Sequence, residues 1–165
     1  MKKLILLLVT IISLTSFFPS DSVKNSVNKI LVIKHKRKLY LYHNDEVVKK
    51  YSISLGKQPK GHKEFEGDMK TPEGIYKIDS KSLTSSYHKN LGISYPNKKD
   101  KAHAKKIGKS PGGQIKIHGL PNNKKWLGKL HLLKDWTYGC IAVTNKEIDE
   151  IFSLVSIGTV IEIRP

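Results

Sequence analysis

The stretch KILVIKHKRKLYLYHNDEVVKKYSISLG, residues 29–56, decides the fold class of this chain. Its apolar residues form short runs between lysines and polar residues, a pattern that is typical of strands and not of a helix. Asn44 and Asp45 separate two of these runs and have the chemistry of a tight hairpin turn. Beyond the turn, apolar side chains alternate with serines as in a half-buried strand, at Tyr51, Ile53 and Leu55. We therefore predict that the domain begins with a meander of strands.

The middle of the chain contains two further short strands and one long stretch without clear periodicity. Residues 75–78 are expected to form a strand, and residues 80–113, rich in lysine, glycine and proline, a long irregular excursion. In the segment QIKIHG, Ile115 and Ile117 face one way and His118 faces the other, because successive side chains of a strand alternate. A strand that packs through its isoleucines therefore presents His118 on its opposite face.

One helix is predicted near the C-terminus. Thr144 and Glu147 have the spacing of a capping box, in which two side chains bond each other's backbone amides. An apolar stripe at helical spacing follows, at Ile148, Ile151, Phe152 and Val155. Gly158 is expected to end the helix, and residues 159–165 alternate as a final strand. The sequence thus predicts a mostly antiparallel β domain with one helix packed against it.

The chain has 165 residues, enough for one domain, and a formal net charge of +16. Its 30 basic residues include two arginines, Arg37 and Arg164, and the rest are lysines. Recognition of phosphates and bases favours the bidentate arginine fork, which argues against nucleic acid as a partner. The charge favours either attraction to a polyanionic surface such as a cell envelope or a solvated lysine coat.

The N-terminus has the pattern of an export signal. Two lysines precede an apolar run at residues 4–18, which is short for a spanning helix and typical of a signal peptide. We expect residues 1–22 to be a signal peptide or an N-terminal anchor, residues 23–28 a polar lead-in, and residues 29–164 the folded domain. The protein is then exported to the periplasm or cell wall, with membrane contact only through this leader.

Cys140 is the only cysteine of the chain, so it cannot form an intrachain disulfide. It follows Gly139 and precedes the capped helix, in the segment DWTYGCIAVTN at residues 135–145. A thiol becomes a strong nucleophile as the thiolate, and a histidine within hydrogen-bond reach can take its proton. A buried structural cysteine and an intermolecular bridge are the alternatives. An unpaired thiol in an exported protein favours a reactive role.

Two histidines are candidates for activating this thiol, His118 on its predicted strand and His131 in the loop that follows. A third group usually orients the imidazole, and either Asp135 or a backbone carbonyl can do so. These side chains match no common zinc spacing, because the chain has no paired Cys-x-x-Cys or His-x₃-His unit. We therefore expect no metal and no cofactor.

Other aromatic and histidine side chains have less defined roles. Trp126, Trp136 and Tyr95 are candidates for lining a groove for a glycan or a stem peptide, and partial burial as core or loop anchors is the alternative. His62 is expected in a plain loop. The remaining histidines are expected on the solvated surface, at His35, His43, His88 and His103.

Two segments, IHGLP at 117–121 and TYGCIAVTN at 137–145, resemble the two halves of the signature of the L,D-transpeptidase catalytic domain (YkuD-like) family. Members of this family place a histidine-glycine pair on a strand and, after a loop, a Ser/Thr-x-Gly-Cys motif. The resemblance extends to LYLYHNDEVVKKYSISLG at 39–56 and EGDMKTPEGIYKI at 66–78. It therefore covers about residues 29–164, with its motifs in the right order.

The resemblance implies a mostly β fold, a sandwich or barrel of mixed, largely antiparallel strands with one helix in the C-terminal region. It also implies cysteine-dependent acyl transfer on peptidoglycan stem peptides. It assigns Cys140 as the nucleophile and His118 as the proton donor and acceptor. The oxyanion would be held by the backbone amides of Gly139 and Cys140. The residues expected to contact substrate are Thr137, Tyr138, Gly119, Trp136 and His131. The terminal D-amino acid leaves, and the acyl group of the resulting thioester passes to an amine of another stem or to water, which frees the thiol without a cofactor.

The sequence departs from the family pattern at Tyr138, where many members have a histidine, and at Ala142, where arginine or asparagine is common. Three functions therefore stay open. The first is an L,D-transpeptidase that crosslinks or remodels the cell wall. The second is a hydrolase of the same family, an L,D-carboxypeptidase or amidase, which includes cleavage between murein and a wall-attached lipoprotein. The third is a catalytically inactive envelope-binding module.

Overall fold

The computed structural model describes residues 27–165, so the expected leader (1–22) and the lead-in as far as residue 26 lie outside the described residues. The strands are β1 (Val27–Ile33), β2 (Lys38–His43), β3 (Glu46–Ser52), β4 (Gly74–Ser85), β5 (His88–Ile93), β6 (Lys116–His118), β7 (Ile141–Ala142) and β8 (Val155–Arg164). The helices are α1 (Lys98–Lys106) and α2 (Asn145–Leu154), with a 3-10 segment at Asn122–Leu133. Across residues 27–165, no helix has the length and apolar character needed to cross a membrane.

The strands form one mixed sheet in the order β3-β2-β1-β8-β4-β5-β6-β7. β1 runs parallel to β8 and β6 runs parallel to β7, and the other neighbouring pairs are antiparallel. The predicted hairpin joins β2 and β3, and Asn44 and Asp45 at its tip have φ values of 47° and 67°. Positive φ at both central residues defines a type I′ turn, whose twist matches that of the flanking strands. The predicted fold class, mostly β and largely antiparallel, is confirmed.

The prediction of an irregular excursion at 80–113 is wrong. β4 is 12 residues long, well beyond the short strand expected at 75–78, and it pairs first with β8 and then with β5. α1 is an additional helix that begins at a capping box between Asn97 and Asp100. Asp100 and Ala104 are its buried residues, so the helix has no apolar stripe that a sequence pattern could reveal.

The core consists of alternate strand residues and one face of α2. Thr144 and Glu147 form the predicted capping box, and Ile148 and Ile151 of α2 are fully buried. The helix ends at Leu154, before the predicted stop at Gly158, because Val155 already pairs with Val27 as the first residue of β8. The fully buried strand residues include Ile30, Val32, Leu39, Leu41, Ile78, Leu91, Ile117, Ile141 and Ile161. Burying each such side chain contributes about 1.5–3 kcal/mol.

The segment that follows β3, at one edge of the sheet, pairs with the chain around β7 at the other edge. Ser54 and Ala142 exchange two backbone hydrogen bonds of 2.9 Å, and Gly56 forms an isolated bridge with Thr137. β3 is the first strand of the order and β7 the last, so these bonds close the curl of the sheet. The chain around Cys140 is therefore held between β6 on one side and residues 53–57 on the other.

Candidate active site

β6 and β7 place His118 and Cys140 on the same cavity. Their parallel pairing sets Ile117 beside Ile141 and His118 beside Ala142. Because Ile117 and Ile141 are buried in the core, the alternate positions 118 and 140 lie on the opposite face. Both side chains line a cavity of about 530 Å³. The other lining residues come from the β4–β5 hairpin, from β6 and from the cysteine loop, and are Ser82, Thr84, Ser85, Ser86, Tyr87, Asn90, Gln114, Lys116, Trp136, Thr137 and Tyr138.

The imidazole of His118 is fixed by a backbone carbonyl and by two aromatic rings. Its Nδ1 lies 2.7 Å from the carbonyl oxygen of Gly119, so the neutral ring carries its proton on Nδ1 and donates it there. The ring lies 4.6 Å from the ring of Tyr87 and 5.7 Å from that of Trp136, centroid to centroid. Asp135 and a backbone carbonyl were the two groups considered for orienting this ring. In the structure, the carbonyl of Gly119 makes the bond.

Burial favours the neutral form of both side chains. Burial lowers the pKa of His118 from 6.5 to about 4, against the opposing effect of its bond to Gly119. Burial also raises the pKa of the Cys140 thiol, against smaller opposing effects of the Lys116 amide and of the charges of Lys116 and Lys63. The thiol donates a weak hydrogen bond of 3.6 Å to the carbonyl oxygen of Gln114. A resting thiolate–imidazolium pair is therefore disfavoured at neutral pH.

Thr137 holds the turn that presents the cysteine. Its hydroxyl donates to the carbonyl oxygen of Cys140 at 2.8 Å and accepts from the amide of Gly139 at 3.1 Å. The Gly139 amide, expected at the oxyanion, thus already has an acceptor. The Cys140 amide has no acceptor among residues 27–165 and is the available donor of the two.

Two glycines of the signature are required by close packing. Gly139 has φ of 124°, and a Cβ there would lie 2.6 Å from the carbonyl oxygen of Lys70. A Cβ on Gly119 would lie 2.7 Å from Oδ1 of Asn145, which also accepts the amide of Leu120. Neither glycine lines the cavity of Cys140, so their observed contacts are structural.

Tyr138, which replaces the histidine of many family members, lies at the open side of the cavity. Its side chain is 68% exposed, and Nζ of Lys57 lies 4.4 Å from the centre of its ring. The phenol is therefore accessible to a ligand in the cavity. Trp136 lies deeper. It lines both this cavity and a neighbouring cavity beneath the 3-10 segment.

His131 and Asp135 lie apart from the cavity of Cys140. His131 is buried, with Nδ1 3.2 Å from the hydroxyl of Ser54, and its Nε2 has no partner among the described residues. Asp135 accepts from Nε and an amino group of Arg37 and from the amide of Leu55. Asp135 therefore joins the cysteine loop to the segment before Gly56 and makes no bond to His118.

Residues that the sequence analysis did not select also line the cavity. Tyr87, in the β4–β5 hairpin, packs on His118. Lys116 lines the cavity and brings a positive charge to it. Lys116 is two residues before His118 on β6, so the alternation already noted for this strand indicates that both share a face. The region of the chain from 27 to 165 contains no group of three or more histidine, cysteine or acidic residues arranged to hold a metal ion.

Residues 28–163 match the family model described as the L,D-transpeptidase catalytic domain (YkuD). The match covers most of the chain and includes both segments that carry His118 and Cys140. This chain belongs to the L,D-transpeptidase catalytic domain family, which confirms the resemblance seen in the sequence.

Relatives of known name or structure are longer than this chain. "Putative L,D-transpeptidase YafK" from Escherichia coli (strain K12) is 29% identical over 171 residues, which covers 93% of this chain and 62% of the relative. The helical cell shape determining protein Pgp2 from Campylobacter jejuni is 27% identical with a TM-score of 0.64, over 83% of this chain and 47% of Pgp2. An L,D-transpeptidase from Mycobacterium smegmatis, 14% identical over 83% of this chain and 58% of its own, has a TM-score of 0.55 and shows the fold alone.

Proposed function

We propose that the protein is a cysteine acyltransferase that acts on peptidoglycan stem peptides in the cell envelope, with Cys140 as nucleophile and His118 as general acid and base. The observation that carries the proposal is the shared cavity of these two side chains. Membership of the L,D-transpeptidase family supports the reaction class. The name of Pgp2 as a determinant of helical cell shape supports a role in shaping the wall.

The first half of the reaction forms a thioester. As the sulfur of Cys140 attacks the carbonyl carbon of the stem peptide, Nε2 of His118 takes the thiol proton. The other ring proton stays on Nδ1 and continues to donate to the carbonyl oxygen of Gly119, which stabilises the imidazolium that forms. The Cys140 amide donates to the oxyanion. The C–N bond to the terminal D-amino acid then breaks, and the imidazolium protonates the departing amine.

The second half returns the enzyme to its starting state. An amine of a second stem, or water, loses its proton to His118 and attacks the thioester carbonyl. The C–S bond breaks, and the sulfur leaves as the thiolate, which takes the proton back from His118. Because the free thiol and imidazole are both neutral, proton transfer is coupled to the attack in each half.

The lining of the cavity fits a polar, anionic peptide. Serine and threonine hydroxyls of the β4–β5 hairpin offer hydrogen bonds to backbone amides, and Lys116 offers a positive charge to a carboxylate. Tyr87 and Trp136 provide apolar surfaces that exclude water from the reacting carbonyl. Stem peptides carry both amides and free carboxylates, so each kind of lining group has a counterpart.

The proposal is tested with a purified disaccharide tetrapeptide and the intact mass of the protein. We expect the mass to rise by that of the acyl group in the wild type and to stay constant in Cys140→Ser. A crosslinked dimer among the products identifies transfer, and a released tripeptide identifies hydrolysis. An unmodified wild-type protein with neither product contradicts the proposal and leaves the inactive envelope-binding module.

A further inference from the structure

The 3-10 segment, Asn122–Leu133, exposes large apolar side chains to solvent. Trp126 is 74% exposed, Leu130 59% and Leu133 82%. Soluble proteins rarely expose contiguous apolar surface of this kind without a partner. Scattered single leucines need no explanation, so the question is whether these three side chains form one surface.

These side chains line a single groove. A cavity of about 760 Å³ lies beneath the segment, and Trp126, Leu130 and Leu133 all contribute to its wall. Its remaining wall is also mainly apolar and includes Leu120 and Leu127. The exposed residues are therefore contiguous, and together they form the patch that we call the Trp126 patch (Trp126, Leu130 and Leu133).

The Trp126 patch is surrounded by unpaired positive charge. Four exposed lysines belong to the same segment and its end, at Lys124, Lys125, Lys129 and Lys134. None of them forms an ion pair with a carboxylate among residues 27–165. The segment contains no acidic residue from 122 to 134, and the chain as a whole has a net charge of +16.

We propose that the Trp126 patch binds the surface of an anionic phospholipid bilayer. Tryptophan and leucine partition into the boundary between headgroups and acyl chains, and each nearby lysine gains about 1 kcal/mol from anionic headgroups. A soluble polyanion would satisfy the lysines and leave the apolar side chains in water. A protein partner with an apolar surface would leave four lysines without counterions. An anionic bilayer satisfies both parts of the surface.

The position of the patch gives the contact a consequence for the site. Tyr87 and Trp136 line both this groove and the cavity of Cys140. A bilayer that contacts the Trp126 patch therefore lies beside the cysteine cavity and restricts how the domain is oriented toward the wall. This contact is additional to the leader, which alone was expected to reach the membrane.

Tryptophan fluorescence tests the proposal in the full chain. Trp126 and Trp136 are the two tryptophans, so quenching by brominated acyl chains reports on this region and not on the leader. With vesicles of phosphatidylcholine and about 30 mol% phosphatidylglycerol, we expect strong quenching in the wild type and little in Trp126→Phe, which keeps Trp136. Quenching should disappear with pure phosphatidylcholine or at about 0.5 M NaCl.

Matched variants distinguish binding through the Trp126 patch from nonspecific adsorption to the vesicles. Leu133→Ser should weaken vesicle binding about tenfold, whereas Leu83→Ser, at a side chain that is 66% exposed elsewhere, should not. Lys125→Gln with Lys129→Gln should weaken it, whereas Lys98→Gln with Lys101→Gln on α1 should not. Absence of quenching in the wild type, or equal quenching in Trp126→Phe, overturns the proposal. A lipid-free dimer that Leu133→Ser dissociates overturns it too, because a second copy then covers the patch.

Discussion

Nδ1 of His118 lies 2.7 Å from the carbonyl oxygen of Gly119, its own neighbour in the chain. This bond fixes the tautomer of the ring and leaves Nε2 to act in the cavity of Cys140. The orienting group is thus part of the backbone, and it needs no acidic residue. The residue that supplies this carbonyl, Gly119, also packs closely against Asn145, where a side chain would collide.

The reactivity of Cys140 should reveal whether the free thiol is ionised. Because burial raises its pKa, we expect the rate of alkylation by iodoacetamide to rise about tenfold per pH unit up to about pH 9. As Cys140 is the only cysteine, intact mass after labelling measures this rate directly. His118→Gln should change the rate by no more than about twofold.

A different profile would indicate a preformed ion pair. In that case the rate would be nearly constant between about pH 6 and pH 8 and would fall sharply in His118→Gln. The neutral resting state described for this site would then be wrong.

Stability should depend on pH through His118. Its pKa is 6.5 in the unfolded chain and about 4 in the folded protein, so the unfolded state binds the proton first as pH falls. The stabilisation is therefore complete above pH 6.5 and is lost progressively toward pH 4. Between about pH 7 and pH 5, the free energy of unfolding of His118→Asn should fall about 2 kcal/mol less than that of the wild type. Urea unfolding at the two pH values measures the difference, and equal losses would contradict the burial of this ring.

Thr137 should support the cysteine turn through its hydroxyl. Thr137→Val removes the bonds to the Cys140 carbonyl and the Gly139 amide, which should cost about 1–3 kcal/mol of stability. We also expect kcat to fall at least about tenfold, because the sulfur is no longer held in place. Thr137→Ser keeps the hydroxyl and should restore most of both. A valine variant with full activity would show that the turn needs no such support.

Lys116 should select substrates that carry a carboxylate near the reacting bond. It is the lysine in the lining of the cavity, so Lys116→Met should raise KM about tenfold for a stem peptide with a free terminal carboxylate. A peptide amidated at that position should show little change. Lys57→Met, which alters a cation beside Tyr138 outside the lining, is the matched control. An equal rise in KM for the free and the amidated peptide would show that Lys116 does not pair with the terminal carboxylate.

The elements with strong local signals were predictable from the sequence. The turn at Asn44 and Asp45 and the capping box at Thr144 each depend on side chains close together in the chain. His118 and Cys140 were predictable as a pair because their short motifs resemble those of one family. In each case the deciding chemistry lies within a few residues.

The remaining elements depend on contacts between distant segments. β4 continues to Ser85 because β5 pairs with it, although its far end carries few apolar residues. His131 resembles a loop residue in the sequence and is buried because Ser54, far away in the chain, lies against it. α1 is stabilised by its cap at Asn97 and buries few side chains. The spacing of apolar residues in the sequence therefore does not reveal it.

The paired bonds between Ser54 and Ala142 tie the cysteine loop to the segment that follows β3, and so to the opposite end of the sheet. Amide exchange at Ala142 should then proceed only through global unfolding, at a rate matching the slowest core amides. On heating, the cysteine loop and the sheet should likewise lose their structure together, at one temperature.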